Sequence, residues 1–294
     1  MKSTNTTKEW LSDSLATAAA TAHIDGDAFS ADTLTAPARL SNYHTILRKD
    51  IVVTRRADIV NKAGRKSELA YEIAKGAKEL KRNVEYALLQ PTVAAVGADN
   101  SAPTLAGLPS WLKTNTDRGA TGTDPTLSGT TYGYPDAAPG DGTDRALTES
   151  GLLGVIASAY IAGGDPNTIM CGPLTKQKIS NFMFGSSARI ATPYQDAGAK
   201  KSGVSAIGAV DVYVSDYGVM DIVPNRFQRE DDCFVLDTEQ FAVSYLSPYT
   251  VKDTAITGDV AAQKILLVDF TLCSKNEAAS GIYADVDETV AMTA

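Results

Sequence analysis

Apolar and charged positions alternate along residues 61–90 with the period of an α-helix. One face of this helix collects seven apolar side chains at spacings of three and four: Leu69, Ile73, Ala77, Leu80, Val84, Ala87 and Leu88. The other face carries acidic and basic residues at neighbouring positions, which suits a surface turned to solvent or to another subunit. Pro91 cannot continue the helix. The pattern therefore predicts a helix over residues 65–90, about 39 Å long at 1.5 Å per residue.

Residues 43–58, shortly before this helix, are rich in Ile, Val and Thr and predict a long strand. Fully extended, the strand would reach roughly 53 Å at 3.3 Å per residue. Apolar and polar side chains occur on both of its faces, so it cannot bury a core alone and should lie across another surface. We predict residues 7–15 as its partner strand, which would make a long two-stranded arm.

Residues 97–146 have the composition of a linker, because 8 of the 23 glycines and 5 of the 12 prolines fall in this stretch. Trp111 is predicted to anchor the linker by packing on the core, with an aromatic ligand platform as the alternative. Helices and strands alternate from there on. The predicted elements are a helix at 152–160 that Gly163 and Gly164 stop, a strand at 168–171, a helix from Pro173 to Gly185, a hairpin at 210–223, and strands at 233–236, 241–246 and 264–274. The last strand is expected beside the helix of residues 65–90.

The composition is that of a globular protein, since 294 residues with 44% hydrophobic content can form a sizeable core. No apolar run approaches the roughly 18 residues of a membrane span, and the N-terminus has no apolar signal core. We therefore expect synthesis in the cytoplasm and no membrane partner. The three cysteines, Cys171, Cys233 and Cys273, have no paired spacing, which predicts buried thiols in a reducing compartment.

Charge is unevenly distributed along the chain. Residues 48–90 contain 11 Lys or Arg and 6 Asp or Glu, which gives this segment a net charge of +5. Because the whole chain has a net charge of −8, the remaining residues together carry −13. Opposite charges on one subunit favour self-association. A nucleic-acid patch is the alternative for the basic residues, but aromatic side chains for base stacking are missing from this cluster. The cluster consists of Arg48, Lys49, Arg55, Arg56, Lys62, Arg65 and Lys66.

Catalytic motifs are missing from the sequence. The only histidines, His23 and His44, have no metal-ligand spacing, and no nucleophile elbow, phosphate loop or dinucleotide fingerprint occurs. We therefore predict no enzymatic activity and no cofactor. Two acidic clusters are interpreted as a solvated turn and a solvated tail instead of Ca²⁺ ligands, because they lack the spacing of a calcium loop. The clusters are Glu230, Asp231 and Asp232, and Asp285, Asp287 and Glu288.

Four segments resemble one protein family in the same order along the chain. They are NKAGRKSELAYEIAKGAKELKR at residues 61–82, DVYVSDYG at 211–218, VPNRFQR at 223–229 and NEAASG at 276–281. Over about residues 8–286 the chain resembles tailed-bacteriophage major capsid proteins with the Johnson fold, which encapsulin shells share. The resemblance implies an α+β fold with an extended loop, a long spine helix, a peripheral domain and an axial domain.

The implied division of the chain has five parts. It assigns residues 1–57 to a short N-terminus and the extended loop, 58–96 to the spine helix of the peripheral domain, 97–146 to the linker loop, 147–250 to the axial domain, and 251–294 to peripheral return strands and the tail. Family members usually carry a longer N-terminal arm, so both an arm removed by cleavage and a naturally short arm fit this sequence.

The resemblance implies a major capsid protein that assembles into hexamers and pentamers of an icosahedral head around double-stranded DNA. It would be made in the host cytoplasm and reside in the virion. Its partners would be copies of itself, a portal, decoration or scaffold proteins, and packaged DNA contacted without sequence specificity. An encapsulin-type compartment is the alternative, and an unrecognised hydrolase or transferase is the alternative of another class.

The resemblance also suggests which residues contact neighbouring subunits. Asn225, Arg226, Phe227 and Arg229 combine hydrogen-bond donors with an aromatic ring, which suits a clamp on the carboxylate of another subunit. Surface arginines in a loop at a strand end are the alternative interpretation. The predicted subunit-interface residues are Arg48, Lys49, Arg55, Arg56, Arg65, Lys66, Asn225, Arg226 and Arg229.

Overall fold

The computed structural model describes residues 1–13, 15, 18, 22–28, 36–60, 64, 67–129, 132–185, 210–255, 258 and 260–287. The helices are α1 (Arg55–Ile59), α2 (Glu68–Leu89), α3 (Leu108–Trp111), α4 (Glu149–Ile161) and α5 (Pro173–Gly185). The strands are β1 (Thr7–Ser12), β2 (Ala38–Tyr43), β3 (Thr45–Thr54), β4 (Asn115–Asp117), β5 (Thr126–Leu127), β6 (Tyr132–Gly133), β7 (Pro135–Ala137), β8 (Thr168–Cys171), β9 (Val212–Ser215), β10 (Gly218–Pro224), β11 (Cys233–Leu236), β12 (Phe241–Asp253), β13 (Val260–Ser274) and β14 (Gly281–Tyr283). Among the described residues, no helix is both long and apolar enough to cross a membrane.

The predicted long helix is α2, which spans about 33 Å at 1.5 Å per residue. It begins later than predicted because Ser67 caps it: the Ser67 hydroxyl accepts the N–H of Ala70 at 3.4 Å. It ends at Leu89, just before Pro91. All seven residues of the predicted apolar face pack in one core with side chains from β3 and β13. The apolar face of the prediction is therefore confirmed.

The sheet against which α2 packs consists of β12, β13 and β3 in that order, all antiparallel. We call it the helix-backed sheet. Its central strand β13 has 15 residues and is about 50 Å long. Alternate side chains of β3 and β13 face α2 and are at most 6% exposed: Ile51, Val53, Leu266, Val268 and Phe270. The strand predicted at residues 264–274 thus lies beside the long helix, as predicted.

The predicted pairing of residues 7–15 with the long strand is wrong. β1 pairs with β2, and β3 pairs with β13. The strand is also shorter than predicted, because the hydroxyl of Thr54 accepts the N–H of Ala57 and so begins α1. β3 pairs with β13 instead because the apolar side chains of the two strands together form the surface that packs against α2. Trp10 of β1 packs in a different core, next to Trp111.

A second, six-stranded sheet has the order β4-β14-β11-β8-β10-β9, and we call it the central sheet. The pairs β10 with β8 and β14 with β4 are parallel, and the other pairs are antiparallel. On one side, Leu152 and Ile156 of α4 and Ile179 of α5 pack on Cys171 and Val235. The predicted strands at 168–171 and 233–236 and the helix from Pro173 to Gly185 are confirmed.

The other side of the central sheet is covered by the linker. Phe234 and Ile282 pack there against Trp111 and Leu112, all at most 1% exposed. The prediction that Trp111 packs on the core is confirmed. The linker is more structured than predicted, because residues 115–117 form β4 of the central sheet.

Two predicted boundaries do not match the sheets. Residue 250 lies inside β12, so residues 241–250 belong to the helix-backed sheet and not with residues 147–240. β14 pairs with β11, so the chain returns to the central sheet after β13. Both departures have one cause. A strand belongs to the sheet whose strands it pairs with, and the local sequence does not show which strands those are.

The predicted hairpin at 210–223 is present as β9 and β10. Three of its valines, however, point outward: Val212, Val214 and Val219 are 45%, 70% and 61% exposed. Tyr213 faces the core instead, with its hydroxyl 3.3 Å from a carboxylate oxygen of Glu149. A phenol that has a polar partner can be buried with its ring, which sets the orientation of the hairpin.

Candidate assembly surfaces

The side of the helix-backed sheet that faces away from α2 carries exposed apolar side chains. We call it the open face and define it by Ile46, Arg48, Asp50 and Val52 of β3 and Ile265 and Leu267 of β13. Ile46 and Val52 are 55% and 59% exposed. A depression of about 310 Å³ runs along the sheet here, lined by Arg48, Val52 and Ile265 among others. Exposed apolar side chains that alternate with charged ones along an unpacked part of a sheet suit a protein interaction site.

The predicted basic cluster is split between the two sides of β3. Arg48 lies on the open face and pairs with Asp50 at 3.1 Å, with both side chains more than half exposed. Lys49 points the other way and pairs with Glu79 of α2 at 2.8 Å. This hydrogen bond raises the pKa of Lys49 and lowers the pKa of Glu79. Neighbours in sequence therefore do not form one surface here, because side chains alternate along a strand.

The other predicted basic residues follow β3. Arg55 and Arg56 are exposed on α1, at the end of the strand. Ile59 and Val60 beside them are 72% and 53% exposed. Arg65 and Lys66, like Lys62, lie outside the described residues. The part of the predicted cluster that the structure describes is thus a basic and apolar end of the helix-backed sheet.

The predicted clamp residues lie in the loop after β10, which faces the polar side of α2. Asn225 Nδ2 donates to Glu85 Oε1 at 2.7 Å, and Asn225 Oδ1 accepts the N–H of Phe227 at 2.9 Å. The guanidinium of Arg82 stacks over the Phe227 ring, with 5.3 Å to the ring centroid. A depression of about 350 Å³ separates this loop from α2. The loop therefore ties the central sheet to α2 within one chain.

Arg229 also finds its partners within the chain. Its Nη2 lies 2.8 Å from Asp141 Oδ1 and 2.6 Å from Asp231 Oδ2. Burial acts to lower the pKa of Arg229, but the carboxylates of Asp141, Asp232 and Asp231 together outweigh burial and raise it. Asn225 and Arg229 thus bind carboxylates of their own subunit, and Arg226 is the exposed member of the predicted clamp.

The first acidic cluster is not the solvated turn that we predicted. Asp232 is 4% exposed because it directly precedes the buried strand β11. Burial raises the pKa of Asp232 to about 6, and its Oδ2 has no hydrogen-bond partner among the described residues. Glu230 Oε2 accepts the N–H of Leu174 at 3.1 Å, in the first turn of α5. With Asp231 bound by Arg229, all three carboxylates of this cluster therefore have structural positions.

The second acidic cluster is also misassigned. Asp285 is 3% exposed and lies in the left-handed backbone region, with φ +60°. Its two carboxylate oxygens accept the N–H groups of Gly119 and Gly142, each at 2.8 Å, and so close the linker loop. Glu288 lies outside the described residues. Within the part of the chain that is described, no three or more His, Cys, Asp or Glu side chains are placed to hold a metal ion.

His44 has a position that the sequence did not reveal. Its Nδ1 lies 3.1 Å from Asp269 Oδ1 and its Nε2 lies 3.0 Å from Ser3 Oγ. Burial lowers the pKa of His44, although Asp269 acts in the opposite direction. The order of contacts is that of a Ser-His-Asp triad, but Ser3 is 4% exposed and also lies 3.2 Å from the Asn5 carbonyl. We assign the three residues to anchoring the N-terminal segment, since a buried serine gives a substrate no access.

Comparisons with known proteins agree with the sheet and helix arrangement. A family model described as SU10 major capsid protein matches residues 1–287. No curated protein matches the chain. The cyanophage A-1(L) capsid asymmetric unit is 13% identical, with a TM-score of 0.63 over 97% of this chain and 90% of that chain. The capsid of the native GTA particle is 11% identical, with a TM-score of 0.59 over 98% and 87%.

An encapsulin gives a similar score. The SrpI encapsulin of Synechococcus elongatus PCC 7942 is 11% identical, with a TM-score of 0.58 over 100% of this chain and 87% of that chain. At these identities the likeness shows the fold alone. That fold is a mixed helix and sheet fold shared by phage capsids and encapsulins, as the family resemblance implied.

Proposed function

This chain belongs to the SU10 major capsid protein family, and from that premise we propose that its copies form the hexamers and pentamers of an icosahedral phage head around double-stranded DNA. The protein is a capsid shell protein of the virion. The family is structural, which argues against an enzymatic activity. Fold likeness to an encapsulin gives no separate support for a cargo compartment, because the family model describes a capsid protein.

The observation that most directly supports this proposal is the open face of the helix-backed sheet. A long sheet with one face packed on α2 and exposed Ile46 and Val52 on the other leaves apolar surface that a neighbouring subunit can cover. We assign the far end of this sheet, with α1 at the end of β3, to the extended loop of the family. In a ring, each subunit uses one surface to bind a different surface of the next subunit. Of the predicted interface residues that the structure describes, we propose four at these contacts: Arg48, Arg55, Arg56 and Arg226.

The remaining domain roles follow the two sheets. We propose that the central sheet with α4 and α5 is the axial domain, and that α2 with the helix-backed sheet is the peripheral domain. In this proposal, residues 241–250 belong to the peripheral domain and residues 281–283 belong to the axial domain. A portal, decoration proteins and scaffold proteins are proposed partners on the strength of the family alone. DNA contacts would be non-specific, because packaging treats all sequences alike.

A charge on the open face tests the proposal. In Val52→Asp an exposed side chain becomes charged, so the subunit should fold as before. Burial of that unpaired charge under a neighbouring subunit is costly, so shells should be lost. Negative-stain electron microscopy and sedimentation velocity measure assembly, and urea unfolding measures the subunit. Val52→Thr, which keeps the branched shape without a charge, is the matched control and should assemble.

One outcome opposes the proposal: intact shells from Val52→Asp would show that no neighbour covers this face. Loss of assembly in both variants with normal subunit stability would still support a subunit contact at residue 52, and would show that the contact is sensitive to the polarity of the side chain as well as to its charge. The contents of wild-type particles purified from an infected host separate the two shell functions, since a phage head holds DNA and a compartment holds protein cargo.

A further inference from the structure

Two of the three cysteines face each other in the middle of the central sheet. β8 and β11 are antiparallel, and Cys171 is directly opposite Cys233 in their register. Both side chains are free thiols and fully buried, in the core beneath α4 and α5. Cys273 lies in the helix-backed sheet, on β13. This pair could not be predicted from the spacing of the cysteines, because α5, β9 and β10 lie between the two residues along the chain.

The pair occupies a non-hydrogen-bonded position between its two strands. The carbonyl of Cys171 accepts the N–H of Asn225 at 2.8 Å, on the side of β10. The N–H and C=O of a strand residue point to the same side, so the backbone of Cys171 is directed away from β11. At such positions opposed Cα atoms are about 4.5 Å apart and side chains are closest. A disulfide bond needs Cα atoms roughly 4.4–6.8 Å apart, so the strands already have a suitable spacing.

We propose that Cys171 and Cys233 are a site of intrachain disulfide formation, and that the bond forms once the protein leaves a reducing compartment. The bond would join β8 to β11 and close a loop of about sixty residues, which limits the freedom of the unfolded chain. The setting rests on the proposed function, because particles released from a host cell meet an oxidising medium. The reaction itself does not require assembly, because both cysteines belong to one chain.

The oxidant is a small disulfide of the glutathione class. The thiolate of one cysteine attacks a sulfur of oxidised glutathione, the glutathione S–S bond breaks, and a mixed disulfide forms as one glutathione leaves. The thiolate of the second cysteine then attacks the cysteine sulfur of the mixed disulfide and displaces the second glutathione. The two cysteines lose two protons and two electrons, and oxidised glutathione becomes two glutathione thiols.

Burial makes this reaction slow in the intact fold. The neighbouring Cys171 thiol and burial both raise the pKa of Cys233, and only the thiolate is a nucleophile. Exchange therefore requires β8 and β11 to open transiently. Once formed, the bond is as buried as the thiols were, and a reductant reaches it equally slowly.

Trypsin makes the test direct, because it places the three cysteines in three peptides: residues 146–176, 230–252 and 265–275. The full-length subunit is incubated with oxidised glutathione at pH 8.5, a few degrees below its unfolding midpoint. Hydrogen exchange on the same sample shows whether β8 and β11 open. We expect the first two peptides to become linked, with a mass 2 Da below their sum, while Cys273 remains available to an alkylating reagent. The thermal midpoint should rise by about 5–10 °C.

Cys273→Ser is the matched control and should still form the link, whereas Cys171→Ser and Cys233→Ala should not. The wild-type peptide map does not depend on the folding of these variants. The proposal is overturned if the strands exchange hydrogen and both peptides still carry free thiols, or if Cys273 takes part in the bond instead. The measurement is made on unassembled subunits and on shells. A link in subunits that never assemble would support this site and count against the proposed function.

Discussion

The central sheet and the helix-backed sheet differ in how completely their faces are covered. The middle of the central sheet is packed on both sides, with Val235 beneath the helices and Phe234 beneath the linker, and both are fully buried. The helix-backed sheet is buried on both sides near Phe270 and Thr271, but further along β3 it is packed only against α2 and exposes Ile46 and Val52 on the other side. A sheet covered on both sides is complete within one chain. A sheet with an open apolar face needs a second molecule, so stability and assembly are concentrated in different parts of the subunit.

The largest effect is expected from a cavity in the sheet that is covered on both sides. Phe234→Ala removes a fully buried ring among Trp111, Leu112 and Ile282 and should lower the free energy of unfolding by about 3–5 kcal/mol. Urea unfolding of the subunit measures it. Val214→Ala on the exposed side of β9, where the side chain is 70% exposed, is the control and should cost less than about 0.5 kcal/mol. Equal losses in the two variants would contradict the division between packed and open surfaces.

A somewhat smaller effect is expected from the buried carboxylate at the edge of the central sheet. The pKa of Asp232 is about 6 in the folded protein and 3.8 without the fold, so the folded state holds a proton that the unfolded state has released. This group therefore favours folding below pH 4, and its contribution is lost as the pH rises through about 6. Asp232→Asn cannot ionise. It should increase the free energy of unfolding at pH 8 by on the order of 3 kcal/mol and have little effect at pH 4.

Urea unfolding at pH 4, 6 and 8 measures this difference. Asp253, whose side chain is 80% exposed beside Lys264, is the control, and Asp253→Asn should leave the midpoint unchanged. A loss of stability at pH 8 in Asp232→Asn would show that attraction to Arg229 and Arg118 outweighs the cost of burial. That result would reverse the assignment of Asp232 as a poorly solvated carboxylate.

Local periodicity was enough to predict the main elements. The apolar face of α2 and the strands β8 and β11 depend on side chains within a few positions of one another. The spacing of apolar residues in the sequence is therefore enough to predict them. The pairing of β3 with β13 depends on two strands at opposite ends of the chain, and residues 7–15 looked equally suitable as a partner. Two strands pair when their apolar side chains together form one continuous face of the core. That match exists only in the folded protein and is not visible in either strand alone.

The candidate site was harder to predict for the same reason. The sequence singled out Asn225 and Arg229 as donors, but their partners Glu85 and Asp141 lie far away along the chain. His44 likewise meets Asp269 and Ser3 only in the fold. Residue type shows that a side chain can bind a carboxylate. It does not show whether that carboxylate belongs to the same subunit.

The smallest effect is expected where α2 meets β3 in an ion pair open to solvent. Lys49 and Glu79 are paired at 2.8 Å, but their side chains are 45% and 31% exposed, so water and salt screen the attraction. Glu79→Gln should leave the thermal midpoint unchanged at both low and high salt. Leu80→Ala, one position further along the same helix, is the control: Leu80 is 1% exposed in the core, and its truncation should cost about 2–5 kcal/mol. A decrease of several degrees in Glu79→Gln would contradict this expectation. It would show that the ion pair at the edge of the contact between α2 and the helix-backed sheet stabilises the subunit, as the buried apolar side chains at its centre do.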